Sequence, residues 1–239
     1  YEIAQCLVRS AMCISDRDTP DNYWGQKILF APEVYYYDNL YWLYYSDNSK
    51  ETGLRYINVM TSESPTGPFV PFKGTNAWNE DVDGAKEPLF RHNDSLGLSA
   101  LDQTLLFDDD GSIYMYYSIY DTGIMQYIVG VEMLDPVTPD WNTYKILIRP
   151  GELTPKTTRT NFLIWEAYSG FKVAEGPFML KSPNGLYYLT YSVNHYDDRY
   201  YTVCYAYSEE PLGDYTKPYW KDGNWTNLLF GLSLIHISE

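Results

Sequence analysis

The chain has 239 residues, a formal net charge of −15 and 18% aromatic residues, among them 26 Tyr and 7 Trp. A chain of that length buries a substantial core. An acidic balance with no Lys/Arg cluster argues against nucleic acid and anionic membranes as partners, and no apolar run of about 18 residues is present to span a bilayer. Cys6, Cys13 and Cys204 are too few and too unevenly spaced for a disulfide framework or a zinc site, and no metal site is expected.

In chain order, residues 1–29 lack periodicity, and SDRDTPDN (15–22) has loop composition. The sequence opens without an initiator Met or a secretion signal, in what reads as the middle of a domain. Residues 30–46, FAPEVYYYDNLYWLYYS, form a first hairpin around Asp38-Asn39, and 53–61 an alternating strand that runs into the turn Pro65-Thr66-Gly67-Pro68. Residues 72–98 read as a long polar connection, and such loops inside compact domains are usually functional. Residues 101–118 form a second hairpin around Asp109-Asp110-Gly111, and 123–134 supply two further strands. Asp108, Asp109 and Asp110 with Gly111 are turn residues, because calcium loops alternate their ligands over a longer stretch.

Residues 140–174 read as another connection, carrying Trp165, Glu166 and Tyr168. A third hairpin, 174–192, turns at Asn184-Gly185, a pair that tolerates the positive φ of primed turns. A strand over 200–208 holds Cys204 as a buried thiol. Helix signals are nearly absent. The last eight residues, LSLIHISE (232–239), belong to no unit and resemble a translated cloning adapter, so the domain is taken as 1–231.

The hairpins repeat. LYWLYYS ending at Ser46, IYMYYS ending at Ser118 and LYYLTYS ending at Ser192 recur about every 73 residues, the mark of a repeat architecture. TSESPTGPF around Pro65 matches YSEEPLGDY around Pro211, with a degenerate copy, VEMLDPVTPDW, in the middle unit. Strand-rich units with several hairpins point to propeller blades. Each unit starts near a carboxylate, Glu33, Asp102 or Glu175, and blades around one axis bring such groups together. The aromatic excess suits cross-strand packing and also surfaces that stack on sugar rings.

FAPEVYYYDNLYWLYYS, TSESPTGPF, LDQTLLFDDDGSIYMYYS, VAEGPFMLKSPNGLYYLTYS and AYSEEPLGDYTK stand in the order found in glycoside hydrolase family 43, which the chain resembles from about residue 30 to 217. The resemblance implies an all-β fold, a five-bladed β-propeller with four-stranded antiparallel blades, here incomplete. It implies an inverting hydrolase acting on arabinose- or xylose-containing plant polysaccharides or oligosaccharides, of α-L-arabinofuranosidase or β-xylosidase type. By resemblance Glu175 is the general acid and Asp102 the carboxylate that orients it and favours its protonated form. Phe30, standing where the family has Trp, and Glu33, Trp165, Tyr168 and His195 are expected around the sugar.

The competing structural readings are a hairpin cap for Glu175, a strand-end acid for Asp102, packing for Trp165 and Tyr168, and a surface loop for His195. The family's general base, an Asp upstream of Ala-Pro-Glu, has no match in residues 1–29; Arg17-Asp18-Thr19-Pro20 is only superficially similar to the Arg-Asp-Pro of family 32. The family's last-blade His is expected after Gly231, where the adapter-like tail with His236 begins instead. The sequence is therefore expected to be a fragment, truncated at both ends and impaired in hydrolysis. A carbohydrate is the expected partner, with no organic cofactor; a channel calcium belongs to the complete family domain. The alternatives are a non-catalytic carbohydrate-binding propeller and a structural interaction propeller, the latter opposed by the paired acids Asp102 and Glu175.

Overall fold

The computed structural model describes residues 23–90, 98–121, 125–152, 164–167, 172–218 and 227–231. A first sheet pairs β1 (Phe30–Tyr37), β2 (Leu40–Asn48), β3 (Arg55–Ser62) and β4 (Val70–Pro71) in that order. β5 (Lys73–Thr75) and β6 (Asp81–Asp83) form a small ribbon inside the stretch expected to be an irregular connection. A second sheet contains β7 (Leu98–Phe107), β8 (Ile113–Asp121), β9 (Met125–Asp135) and β10 (Thr138–Ile148). A third contains β11 (Ala174–Lys181), β12 (Tyr187–Val193), β13 (Thr202–Ser208) and β14 (Leu228–Gly231). Sequential neighbours pair throughout, as in a propeller blade.

Beyond residues 122–124, which lie outside the described residues, β9 is one strand and not two, and the stretch read as a connection from 140 begins with β10. The Pro136-Val137 turn therefore joins a third strand to a fourth, as the Pro65 turn does in the first sheet. Alternation is weak in β10 because its middle is half-exposed, so the sequence carries no clear period there.

Turn chemistry differs among the hairpins. Asp38 and Asn39 both have positive φ, 49° and 62°, as a primed turn requires. At 182–186 only Gly185 does (φ 87°), with Gly185 N–H donating to Ser182 O at 2.9 Å. Asp108 to Ser112 repeats that arrangement, with Gly111 at φ 89° and its N–H on Asp108 O at 3.0 Å. Both are longer loops closed by a left-handed Gly, not the primed two-residue turn expected at Asn184-Gly185. Asp108, Asp109 and Asp110 serve that turn, Asp108 Oδ1 accepting from Asp109 N–H at 2.7 Å and Asp110 Oδ1 from Ser112 N–H at 2.9 Å.

By contact density the chain divides into two compact units, Tyr1–Gln103 with Leu134–Pro139, and Thr104–Met133 with Asp140–Glu239. The first is centred on Tyr23, Leu43, Tyr45, Met60 and Phe69. The second has a larger core that includes Tyr116, Leu147, Trp165, Leu189, Tyr191, Val193 and Cys204. β12 and β13 alternate strictly between buried and half-exposed residues, which puts Cys204 inside and Tyr188, Tyr205 and Tyr207 on the opposite face.

The tyrosine repeat has a structural purpose. Tyr44 and Tyr116 occupy the same place in LYWLYYS and IYMYYS, and both are buried. Tyr44 donates its hydroxyl to Pro136 O at 2.7 Å, and Tyr116 donates to Pro211 O at 3.1 Å. In each case the acceptor lies in the turn after the third strand of the following sheet. A buried hydroxyl demands a partner, and this one ties each blade to its successor. The third copy has Thr190 there, and its hydroxyl turns back to Phe178 O at 3.3 Å.

Candidate active site

The first strand of each of the three sheets contains a residue with left-handed backbone: Ala31 (φ 42°), Asp102 (φ 56°) and Gly176 (φ 57°). In the first sheet Phe30 pairs with Ser46 and Glu33 with Tyr44, so one extra residue bulges from β1. In the third, Glu175 pairs with Ser192 and Phe178 with Thr190, the same bulge over Gly176-Pro177. The registers therefore align Phe30 with Glu175 and Glu33 with Phe178. The similar spacing of Glu33 and Glu175 thus does not mark equivalent positions. Glycine meets the left-handed geometry at 176 without strain, whereas Asp102 holds it with a Cβ, a conformation concentrated at functional sites.

In the first unit, the bulge and Asp102 meet through Gln103. Its side chain is buried, donates to Ala31 O at 2.7 Å and accepts from the Ser46 hydroxyl at 2.9 Å. Phe30 and Asp102 are thereby held at one place on the backbone. The Arg55 guanidinium lies 4.8 Å from the centroid of the Phe30 ring, close enough for a cation–π contact. Glu33 accepts a hydrogen bond from the Tyr35 hydroxyl. Upstream, buried Asp47 accepts from Lys27 N–H at 2.9 Å and Ile28 N–H at 3.1 Å, fixing the chain that leads into Phe30. Burial pushes the Asp47 carboxyl up from its ordinary value, against the pull of those backbone donors.

In the second unit, Glu175 is half-buried at the mouth of β11 and both of its oxygens are engaged. Tyr201 donates its hydroxyl to Oε1 at 2.8 Å, and Gln126 donates its amide to Oε2 at 3.2 Å. The backbone explains why Gln126 reaches the acid. Gln126 N–H donates to Lys172 O at 2.8 Å, and Gln126 bridges Val173 in parallel, so the start of β9 lies beside the chain entering β11. Tyr201 comes from the loop before β13, whose next residue, Thr202, pairs with Val193. Neither residue carries a local motif that announces the role.

Behind this cluster is a dry polar network. Glu166, in the 3-10 helix Ile164–Ala167, accepts from Gly151 N–H at 2.7 Å, Tyr191 hydroxyl at 2.8 Å and Asn227 amide at 2.7 Å. Its ion-pair partner Lys217 stands 2.6 Å away, the two side chains being 0% and 1% exposed. Burial, with Glu166 adding to it, pushes the Tyr191 hydroxyl and the Cys204 thiol well above their ordinary range. Trp165 is buried in the core, its indole N–H on Asn227 Oδ1 at 2.8 Å. Its carbonyl accepts from Asn194 Nδ2 at 2.8 Å, and Asn194 also holds Tyr200 O at 2.8 Å. The helix thus clamps the loop that carries His195 and leads to Tyr201. His195 itself stacks on Tyr196 at 4.5 Å between ring centroids and accepts from Asp197 N–H at 3.3 Å through Nδ1.

Tyr168, Asp18 and His236 lie outside the described residues. Among the described residues, no three His, Cys, Asp or Glu side chains are grouped as metal ligands would be.

The sequence matches the family model described as glycosyl hydrolases family 43 over residues 10–222. It is 34% identical over 94 residues to the xylosidase/arabinosidase 43A of Humicola insolens, covering 39% of this chain and 23% of that protein. It is 25% identical over 206 residues to a β-xylosidase of Xylanibacter ruminicola, covering 81% of this chain and 57% of that protein. The crystal structure of a thermostable family-43 glycoside hydrolase is similar with a TM-score of 0.63 at 30% identity, covering 84% of this chain and 56% of that one. In each comparison the match spans less than two thirds of the relative. The likeness identifies the fold class as the five-bladed β-propeller, with three four-stranded blades among the described residues. The chain belongs to glycosyl hydrolases family 43.

Proposed function

We propose that the protein is an inverting glycosidase that cleaves arabinose- or xylose-containing plant polysaccharides or oligosaccharides, with Glu175 as general acid. Family membership supports the reaction class, and the names of the Humicola and Xylanibacter relatives support the choice of pentose. The observation that carries the assignment is the seating of Glu175. It projects from a bulge at a strand mouth and is gripped through both oxygens by side chains from two other strands or loops.

In this reading Glu175 gives its proton to the glycosidic oxygen as the C–O bond breaks. A second carboxylate takes a proton from the attacking water on the opposite face of the sugar. In the first unit Gln103, next to Asp102, is tied to Ala31 O, next to Phe30, and Phe30 offers a ring face to a sugar. Carboxyl chemistry supplies both proton transfers, so no organic cofactor enters.

The test is hydrolysis of 4-nitrophenyl α-L-arabinofuranoside and β-D-xyloside by the full-length protein, with the first-formed anomer of the released sugar read by proton NMR. Release of the inverted anomer supports the proposal. Retention of configuration, or binding of pento-oligosaccharides with no cleavage, contradicts it.

A further inference from the structure

We infer that Gln126 and Tyr201 are positioning residues that decide which oxygen of Glu175 carries the catalytic proton. The inference rests on the reading of Glu175 as general acid. An amide nitrogen only donates, whereas a phenolic hydroxyl donates or accepts. Oε2 accepts from the amide N–H of Gln126 at 3.2 Å, and a proton on that oxygen would make it the poorer acceptor for a group that can only donate. Oε1 faces the Tyr201 hydroxyl at 2.8 Å, which has a lone pair for a protonated acid and a hydrogen for a carboxylate. The proton therefore resides on Oε1. When it passes to the glycosidic oxygen, the electron pair of the broken C–O bond stays on the leaving oxygen, and Tyr201 donates to the vacated Oε1.

Both supports are built into the fold. Gln126 is buried, and its backbone is pinned to Lys172 and Val173 immediately before β11. Tyr201 N–H is held on Asp198 O at 2.9 Å, in the loop whose Asn194 is clamped by the Trp165 carbonyl. The Glu166 network behind that clamp makes the position of Tyr201 a consequence of core packing.

The test compares Tyr201→Phe, Gln126→Leu and Glu175→Gln with wild type in the full-length protein. Two glycosides of the pentose it hydrolyses are used, one with a 2,4-dinitrophenyl leaving group and one with methyl. A dinitrophenolate leaves without protonation, whereas methoxide needs the acid. We expect Tyr201→Phe and Gln126→Leu to lower kcat on the methyl glycoside by about 10- to 100-fold, with under about 2-fold loss on the dinitrophenyl glycoside and little change in KM. Equal losses on both substrates, or none, overturn the inference while a selective loss in Glu175→Gln leaves the acid assignment standing. If Glu175→Gln itself is unselective, the acid assignment fails and this inference with it. Tyr201→Phe deletes a single oxygen, so it carries the test if Gln126→Leu does not fold.

Discussion

Lys217→Met probes the network that supports the candidate site. The Lys217 ammonium is 1% exposed, 2.6 Å from Glu166 Oε2 and 2.7 Å from Arg149 O. Methionine keeps most of the apolar stem but takes the counter-charge from the buried Glu166 carboxylate, leaving Gly151, Tyr191 and Asn227 as its donors among the described residues. Removing one member of a buried pair costs about 3–5 kcal/mol, more than the remaining neutral donors offset. For a chain of this size that lowers Tm by about 6–20 °C. Glu166→Gln should also destabilise, because the Lys217 ammonium would keep oxygen partners but lose its buried counter-charge. The double variant should lose less than the sum of the two, since the charges are then removed together. Urea unfolding followed by near-ultraviolet circular dichroism measures all three. A loss below about 1 kcal/mol for Lys217→Met, or strict additivity in the double variant, would refute the view that this pair braces the core.

Tyr44→Phe should destabilise by about 1–3 kcal/mol in urea unfolding, because it strands the Pro136 carbonyl that the hydroxyl had satisfied, whereas Tyr116→Phe should cost less, since Pro211 O also accepts from the Tyr215 hydroxyl at 2.8 Å. Burial tends to raise the Asp108 carboxyl, but Lys181, the Tyr187 hydroxyl at 2.6 Å and the Asp109 N–H outweigh it and hold it below the ordinary range. Its stabilising contribution is thus present above the unfolded carboxyl pKa and is lost as pH falls through the lower folded value; acid titration of Asp108→Asn should show a shallower loss of stability than wild type. Gly130→Ala would place a Cβ 2.7 Å from Leu212 and 2.8 Å from Leu147, so overpacking of about 1–3 kcal/mol should appear in thermal unfolding. Cys204, buried with its thiol pushed up, should resist Ellman's reagent in the native protein and react only on unfolding; rapid native labelling would contradict its placement.

The blades were legible because their second strands are loud in sequence. LYWLYYS, IYMYYS and LYYLTYS combine β-branched or aromatic content with a fixed period, and each became a strand. β10 was missed because a half-exposed edge strand needs no apolar alternation, and the β5/β6 ribbon because three-residue strands leave too little pattern. At Asn184-Gly185 the residues named a turn but not its class, since loop length and register decide whether Asn must adopt positive φ. Spacing suggested that Glu33 and Glu175 were equivalent, yet pairing puts Glu175 before its bulge, opposite Ser192, and Glu33 after the corresponding bulge, opposite Tyr44; register of that kind is set by pairing and not by spacing. Gln126 and Tyr201 were invisible for a different reason. Each lies distant in sequence from Glu175 and reaches it only through strand placement. Trp165 stood beside a recognisable acid and was expected at the sugar; its indole is in the core, with Asn227 as partner.

The most direct measurement of the central claim is kcat of Glu175→Gln on an unactivated arabino- or xylo-oligosaccharide, with Tm recorded alongside. The amide keeps the shape of the side chain and cannot give up a proton. The account predicts a fall of about 10²- to 10⁴-fold with Tm within about 3 °C of wild type. An unchanged rate in a folded variant would remove Glu175 from the acid role and contradict the assignment.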